Sequence, residues 1–458
     1  MKNTFKKLPS GLIKLELVIL FFSAAWLVSG QNPVSPLYNE FKNPPESAKS
    51  RTWWHWTNSN VTKEGITSDL EWMKRAGIGG MQLADVASGQ GQVVEKKVIF
   101  GSPEWLDAVH YAASEADRLN LEMAIFSSAG WSLTGGPWVK PEQAMKKLVW
   151  SETYVKGPLN YVGKLNSPPS VEGPIRNLSR SARVLDSDTK FYKDFMVLAF
   201  PTPQDDIKFS QAVPVVTTGT GIIDPVALLD DDLSTSMVIR SGKDKNLVWI
   251  QFSYEKEFTA RAITLANRSG IPVGRLTVSN DGKSFRTVAI LPGAQLYRAG
   301  KVETISFPET MAKHYRLEFT GAPMKPADVM AETNTLPDSV YTFSEIKLHI
   351  GARINRWEDK AGFYHLFNYD PVGSGEVSPS TVIDPSAVID LTSKMLPDGT
   401  LEWKVPLGNW TIMRFGYSLT GSKNRPAVPA GSGYEVDKLS SEHTEAYIKD
   451  YTAPIAGH

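Results

Sequence analysis

The sequence predicts a mixed α/β protein in which part of a (β/α)8, or TIM-type, barrel is interrupted by an inserted β-sandwich of jelly-roll type. Strand-like and helix-like segments alternate between residues 51 and 126. Helical periodicity then disappears from about residue 154 to about residue 350, and a helix-like segment returns near residue 440. Alternating strands and helices imply parallel pairing through right-handed crossovers, whereas regularly spaced short strands are typical of a sandwich.

The first α/β segment, residues 31–150, has the order strand, helix, strand, helix, strand. Thr62 can cap the first helix, and Ser102 followed by Pro103 is a typical start for the second. Such a succession begins either a β/α barrel or a doubly wound sheet. The predicted strands are residues 51–56, 81–86 and 121–126.

The inserted sandwich is placed at residues 151–350. The sequence Asn280-Asp281-Gly282 between two apolar runs is a strong signal for a tight turn. The predicted strands of this part are residues 247–252, 262–265, 275–279, 288–291, 304–307 and 315–319.

Residues 351–458 contain a further β segment, followed by a resumed strand–helix pattern with a helix predicted at 438–450. The α/β segments supply about four strand–helix units, whereas a closed barrel needs eight in about 250 residues. Either the sheet is open or the chain is a truncated barrel. We favour truncation.

Residues 1–30 have the order of a secretory signal peptide, with basic residues before an apolar stretch and small residues at its end. An anchoring helix is the alternative. We expect a periplasmic or secreted protein without a membrane partner after cleavage. The chain has no cysteine, so its stability rests on core burial. Lys plus Arg and Asp plus Glu are both 49, and this zero net charge argues against a nucleic-acid partner.

Aromatic side chains cluster at or just after the predicted strand ends, where sheets of this kind bind ligands. Indole faces match the apolar faces of sugar rings, so we expect an oligosaccharide or polysaccharide partner. Burial in the core is the alternative for each tryptophan, and a structural role is the alternative for the histidine. The candidates are Trp54, His55, Trp56, Trp131 and Trp138, together with Trp53.

Three carboxylates are candidates for chemistry. Glu435 lies on a glycine-containing loop after a predicted strand, and Asp437 follows two residues later. A helix cap or a salt bridge with Lys438 is the alternative, and spacing alone favours that alternative. Asp85, after the second strand, is a candidate for a hydroxyl contact. Glycosidic cleavage needs two carboxyl groups, one of which protonates the departing oxygen.

A metal site has little support in the sequence. The seven histidines are scattered, with no His-Glu-x-x-His pattern. Asp230 and Asp232 are weak candidates for a calcium site with oxygen ligands, and a solvated acidic turn is the alternative. Calcium is therefore the one cofactor that we consider.

Several ordered motifs resemble glycoside hydrolase family 106. The predicted insertion is similar to discoidin-like, galactose-binding-like sandwiches through residues 280–285 and Tyr315-Arg316-Leu317. The motifs of the first resemblance are Asn43-Pro44-Pro45, Trp53-Trp54-His55-Trp56, residues 61–66, Asp69-Leu70, residues 77–80, Gly130-Trp131-Ser132, residues 135–138, residues 408–411 and residues 433–438.

The resemblance implies an exo-acting, inverting α-L-rhamnosidase on a β/α barrel, helped by calcium and acting on plant pectin or similar glycans. It also implies that Glu435 is the general acid. We expect the partner carboxylate to lie outside this chain, and we expect little or no hydrolase activity from the 458 residues alone. The alternatives are a non-catalytic carbohydrate-binding protein and another exo-glycosidase, such as a β-galactosidase-like enzyme.

Overall fold

The computed structural model describes residues 36–89, 91–170, 189–207, 213–241, 247–268, 271–293, 301–320, 340–361 and 382–456, with residues 373, 375 and 377. The predicted signal peptide, residues 1–30, lies outside them. The fold is mixed α/β with mostly strands, and it forms two units. Unit 1 combines Met1–Lys140 with Lys423–His458, and unit 2 is Pro141–Ser422. Among the described residues, no helix is long and apolar enough to cross a bilayer.

The secondary-structure elements have the following bounds. The helices are α1 (Pro36–Lys42), α2 (Lys63–Arg75), α3 (Pro103–Arg118), α4 (Gln204–Ile207), α5 (Val226–Leu229), α6 (Trp357–Lys360) and α7 (Ser441–Ala456). The strands are β1 (Arg51–Thr57), β2 (Gly80–Val86), β3 (Glu122–Ile125), β4 (Lys146–Lys164), β5 (Tyr192–Pro201), β6 (Val215–Thr218), β7 (Gly221–Ile223), β8 (Met237–Arg240), β9 (Val248–Asn267), β10 (Val273–Ser279), β11 (Arg286–Pro292), β12 (Lys301–Phe319), β13 (Val340–His349), β14 (Ile389–Asp390) and β15 (Thr400–Leu419).

Unit 1 contains a three-stranded parallel sheet in the order β1-β2-β3. Both predicted helix starts are confirmed, because the Thr62 hydroxyl accepts a hydrogen bond from the Gly65 N–H and the Ser102 hydroxyl accepts one from the Trp105 N–H. The apolar faces of α2 and α3 pack in one core cluster with the sheet. The predicted parallel strand–helix succession in this segment is therefore confirmed.

Unit 2 contains an eight-stranded sheet whose main path runs β11-β10-β12-β9-β13-β8. The turn predicted at 280–282 is confirmed, since it joins the antiparallel strands β10 and β11. The segments 247–252 and 262–265, however, belong to one strand, β9. This strand stays paired with β12 through two register shifts, and such bulges let a strand bend without ending.

A four-stranded antiparallel sheet completes unit 2, in the order β14-β5-β15-β4. Strands β4 and β15 pair from Lys146 opposite Leu419 to Lys164 opposite Thr400. This pairing differs from the predicted insertion at 151–350, because β4 and β5 share their sheet with β15 rather than with β6–β13. The loss of helical periodicity marks where strands begin, but it does not show which remote strand each one pairs with.

Candidate active site

Two segments of unit 1 meet at the carboxyl ends of the parallel strands. We call residues 127–138 and 423–437 the loop pair. The Gly130 N–H donates to the Asp85 carbonyl at 2.7 Å, which anchors the first segment to the end of β2. The Trp131 N–H donates to the Arg425 carbonyl at 3.0 Å, which joins the two segments. The strand ends and both halves of the loop pair therefore form one region.

The side chain of Asn424 holds the loop pair together. Its amide nitrogen donates to the carbonyls of Ala129 at 2.9 Å and Gly431 at 2.8 Å. Its amide oxygen accepts from the Gly433 N–H at 2.8 Å. Asn424 is buried, so both donors and the acceptor are satisfied by protein groups. Sequence reasoning missed this residue, because its main partner lies 295 positions away.

A close backbone contact also joins the loop pair. A Cβ atom added to Gly433 would lie 1.9 Å from the Gly136 carbonyl oxygen, so only glycine fits there. This contact explains why the motif before Glu435 contains glycine. The loop pair is therefore fixed by backbone approach as well as by the Asn424 amide.

Helix α7 carries two tyrosines that bind the same region. The Tyr451 hydroxyl donates to the Phe126 carbonyl at 2.7 Å, and the Tyr447 hydroxyl donates to the carbonyls of Ser127 and Gly135. Their rings lie parallel, 6.4 Å apart. Burial raises the pKa of both phenols. The Trp138 indole packs on both rings at 5.8 and 5.6 Å, and this packing explains Trp138 without a sugar contact.

Side chains of β1 alternate between a covered and an open face of the sheet. Trp54 and Trp56 are 6% and 2% exposed and belong to the helix-covered core. The Trp54 Nε1 also donates to Asp69 at 2.9 Å. The expectation that Trp54 and Trp56 contact sugar is thus corrected, because successive strand residues point to opposite faces and these two point into the core.

The open face of β1 presents an aromatic surface formed by Trp53, His55 and Trp131. Trp53 is 59% exposed and Trp131 is 52% exposed. The Trp131 Nε1 donates to His55 Nε2 at 3.2 Å, so a neutral His55 carries its proton on Nδ1. Both indoles lie with their ring centroids within 6 Å of the imidazole, at 5.7 and 5.8 Å. Two predicted site residues, His55 and Trp131, are therefore brought together by the fold.

Asp85 lies on the covered side of β2 rather than on the open face. It is 3% exposed, and its Oδ2 accepts from the Trp105 Nε1 at 3.2 Å. Its Oδ1 makes no hydrogen bond within the described residues. Burial raises the pKa of Asp85 to about 7, and the Trp105 hydrogen bond offsets part of that rise. The expected hydroxyl contact is corrected, since this carboxyl does not reach the surface.

Glu435 is positioned by the loop pair, but its carboxylate is engaged. The Lys438 ammonium lies 2.5 Å from Glu435 Oε2, and the Glu435 side chain is 19% exposed. Asp437 shapes the next turn, because its Oδ1 accepts from the Leu439 N–H at 3.1 Å. Helix α7 begins three residues after the predicted start, at Ser441. The salt-bridge alternative thus describes Glu435, whereas Asp437 stabilises the turn before α7 instead of capping the helix. The acid role of Glu435 stays a prediction.

The calcium candidates lie in unit 2, where they form a compact turn. Asp230 Oδ1 accepts from the Asp232 N–H at 3.0 Å, and Asp232 Oδ1 accepts from the Ser234 N–H at 2.8 Å. In the part of the chain that the structure describes, no three acidic, histidine or cysteine side chains converge as metal ligands. Side-chain carboxylates alone therefore do not form a complete site there.

A buried carboxylate lies beside this turn, and sequence reasoning missed it. Glu345 is 4% exposed, and neither of its oxygens makes a hydrogen bond of normal geometry to another described residue. Burial and then the negative charge of Asp231 raise the pKa of Glu345 to about 8, with a smaller contribution from Asp230. The positive charge of Lys347 offsets part of this rise.

Comparison with known proteins places the chain in a family. The family model for alpha-L-rhamnosidase, glycoside hydrolase family 106, matches residues 42–457. The structure of a rhamnosidase from Novosphingobium sp. PP1Y is similar, with 36% sequence identity, a TM-score of 0.73 and coverage of 91% of this chain. The chain therefore belongs to glycoside hydrolase family 106, which confirms the resemblance found in the sequence.

The relatives are much longer than this chain. The match covers 38% of the Novosphingobium rhamnosidase. A curated relative from Formosa agariphila, whose name gives it provisionally as a beta-glucuronidase, is 28% identical over 444 residues, which is 96% of this chain and 24% of that protein. The chain thus spans a quarter to two fifths of the length of these two relatives.

We predict that Asn424→Ala destabilises unit 1 by about 3 kcal/mol, because three buried backbone groups lose their partner and each such loss costs about 1–3 kcal/mol before relaxation. The free energy of unfolding from urea titration measures this. Asn39→Ala, at an exposed position, is the matched control and should change stability by less than about 0.5 kcal/mol. Equal effects of the two substitutions would contradict the role of Asn424.

We predict that Asp85 makes stability fall as pH rises. Its folded pKa of about 7 exceeds the unfolded value near 3.8, so the folded state binds more protons between these values. Each pKa unit corresponds to about 1.4 kcal/mol. Between pH 4 and pH 8, the wild type should therefore lose about 4 kcal/mol more stability than Asp85→Asn. Unfolding titrations at both pH values measure this, and parallel profiles for the two proteins would refute it.

Proposed function

We propose that this chain contributes to an exo-acting α-L-rhamnosidase that removes terminal α-L-rhamnosyl residues from plant pectin-type glycans with inversion. The observation that carries the proposal is the aromatic surface of Trp53, His55 and Trp131, which combines exposed indoles with an oriented imidazole. Family membership supplies the reaction class. A sugar ring can stack on such indoles while a polar edge binds its hydroxyls.

We also infer that strands β1–β3 belong to a partial (β/α)8 barrel and that β6–β13 form an inserted galactose-binding-like sandwich. Helices cover one face of the parallel sheet, and the other face leaves Trp53 exposed while it buries Ala84 and Val86 beside Phe126. Parallel sheets are normally covered on both faces, as the strands of a barrel are. The aromatic surface would then lie inside the barrel mouth, where such folds bind ligands.

In this proposal Glu435 is the general acid. Burial raises the pKa of the Tyr447 phenol, and the negative charge of Glu435 adds to that rise. The Lys438 ammonium engages the Glu435 carboxylate. To protonate a departing oxygen, Glu435 must release this ammonium, take up a proton and then donate that proton to the glycosidic oxygen. A substrate bound at the aromatic surface would supply the oxygen that replaces the Lys438 ammonium as the partner of Glu435.

The names of the two relatives indicate different substrates. One relative is a rhamnosidase and the other has a glucuronidase name. A glucuronide carries a carboxylate, which favours a cationic partner such as arginine. The groups of the aromatic surface are two indoles and an imidazole, which suits a deoxy sugar with an apolar methyl group. We therefore favour the rhamnoside.

We predict that the whole protein that contains this sequence hydrolyses an aryl α-L-rhamnoside and that Trp131→Ala raises KM about tenfold, corresponding to about 1.4 kcal/mol of lost binding. The substitution removes both the stacking face and the hydrogen bond to His55. Chromogenic release at a series of substrate concentrations measures KM. Trp72→Ala, which removes another exposed tryptophan of unit 1, is the control.

Two results would count against this function. Faster cleavage of an aryl β-D-glucuronide would favour the substrate class named for the Formosa relative. Equal KM values for Trp131→Ala and Trp72→Ala would show that the aromatic surface is not part of the substrate site. Inversion is checked separately by proton NMR, since an inverting enzyme releases β-L-rhamnose first.

We further propose a structural calcium ion beside the turn at residues 230–235. Glu345 and Asp230 would hold it together with carbonyl oxygens of the turn, and the ion would neutralise the buried carboxylate. In this position calcium stabilises unit 2 and takes no part in bond cleavage. The support is the buried Glu345, whose oxygens make no normal hydrogen bonds to the described residues.

We predict that calcium raises the melting temperature of the wild type and leaves Glu345→Gln unchanged, because the variant lacks the anionic ligand. At a concentration one hundred times the Kd, binding stabilises by about 2.7 kcal/mol. Differential scanning calorimetry with calcium and with a chelator measures this. Glu402→Gln, at an exposed position of β15, should respond as the wild type does. An identical calcium response in Glu345→Gln would refute the assignment.

Finally, we propose that the protein is exported and acts in the periplasm or outside the cell. The support is the signal-like composition of residues 1–30. A pectin-type polysaccharide would meet the enzyme in those compartments. Determination of the amino terminus of the mature protein tests the cleavage.

A further inference from the structure

Unit 2 contains a large cavity that the proposed reaction does not use. One compartment has a volume of about 700 Å3 and the adjoining one about 660 Å3. Tyr154, Asp206 and Lys347 line both compartments. Strands β4 and β15 form one wall and strand β13 contributes to the other, so the cavity lies between the two sheets of this unit. The size of each compartment is within the usual range for ligand sites.

Aromatic rings form part of the cavity wall. Trp150 and Trp357 meet edge to face, with their ring centroids 5.7 Å apart. Tyr154 is 66% exposed and lies four residues after Trp150 on β4, so alternation places both side chains on the same face of the strand. These rings offer flat apolar surfaces beside an open volume. They are suited to the faces of sugar rings.

Polar groups surround the rings as pairs of opposite charge. Arg353 contacts Asp206 at 3.0 Å, and Lys347 contacts Asp231 at 2.5 Å. Such pairs offer donors and acceptors side by side, which matches neighbouring hydroxyl groups. Among the described lining residues, both signs of charge are present in similar number. The basic residues of the lining are Lys156, Lys347 and Arg353, and the acidic residues are Glu152, Asp206, Asp231 and Glu358.

The balance between acidic and basic lining residues indicates which class of ligand fits the cavity. A phosphate or polyanion site requires an excess of basic groups, and a site for a cationic ligand requires an excess of acidic ones. Neither excess is present in the described lining. A neutral, hydroxyl-rich molecule fits best, because it can stack on the indoles and bind the paired charges without adding a net charge of its own.

We propose that this cavity is a second glycan site that binds a neutral oligosaccharide without cleaving it. Every group that forms the site belongs to unit 2. Tyr154 supplies a stacking face and Asp206 accepts hydroxyl hydrogen bonds. The site would hold a polysaccharide chain on the protein while its terminal residues are removed elsewhere.

The test is isothermal titration of the full chain with β-1,4-galactotetraose and α-1,5-arabinotetraose, with trigalacturonate as the charged comparison. At least one neutral tetrasaccharide should bind, and trigalacturonate should bind more weakly. Tyr154→Ala should weaken binding about tenfold, whereas Tyr154→Phe keeps the ring and should bind as the wild type does. Asp206→Asn should also weaken binding. Phe195→Ala, an exposed ring of β5 in the same sheet, should have no effect.

Three results would overturn the proposal. They are failure of both neutral tetrasaccharides to bind at millimolar concentration, preference for trigalacturonate, and binding that both Tyr154→Ala and Asp206→Asn leave unchanged. Circular dichroism of each variant separates a binding defect from a folding defect. If Trp131→Ala loses rhamnoside hydrolysis but still binds the tetrasaccharide, the substitution affects the hydrolase site and leaves the cavity site intact. The two proposals can therefore be refuted independently.

Discussion

The carboxamide of Asn424 is the interaction on which the candidate active site depends. It connects one half of the loop pair, through the Ala129 carbonyl, to the other half, through Gly431 and Gly433. A buried amide with every donor and acceptor satisfied specifies one geometry, because any other arrangement leaves a polar group without a partner. Trp131 and Glu435 are carried by these two segments. Asn424 therefore helps to fix the positions of these two residues, together with the close approach of Gly433 to Gly136 and the hydrogen bond from the Gly130 N–H to the end of β2.

Buried carboxyl groups show that a raised pKa does not by itself locate a reaction. Asp85 has a pKa of about 7 because it is buried beside an indole under the helices. Glu345 has a pKa of about 8 because other carboxylates add to the effect of burial. Asp85 lies on the helix-covered face of the parallel sheet, away from Trp53. The cause of the first shift is packing against the indole of Trp105, and the causes of the second are burial and neighbouring carboxylates.

Local signals in the sequence were sufficient for the parallel segment and for the turn at 280–282. Thr62 and Ser102 cap their helices through neighbours three residues away, so a short window contains the whole interaction. The faces of β1 could not be predicted, because Trp53 and Trp54 are chemically alike and helix packing alone decides which one is buried. Asn424 had no local signal either, since its partners include a residue almost three hundred positions earlier in the chain.

The long pairing of β4 with β15 has a consequence for how the polypeptide emerges from the ribosome. Lys146 meets Leu419 only after more than half of the chain has been synthesised, and closing so large a loop is entropically slow. Until then β4 exposes an unsatisfied edge along its length, and such edges promote aggregation. Nascent chains should therefore depend on chaperones during the interval between the synthesis of these two strands.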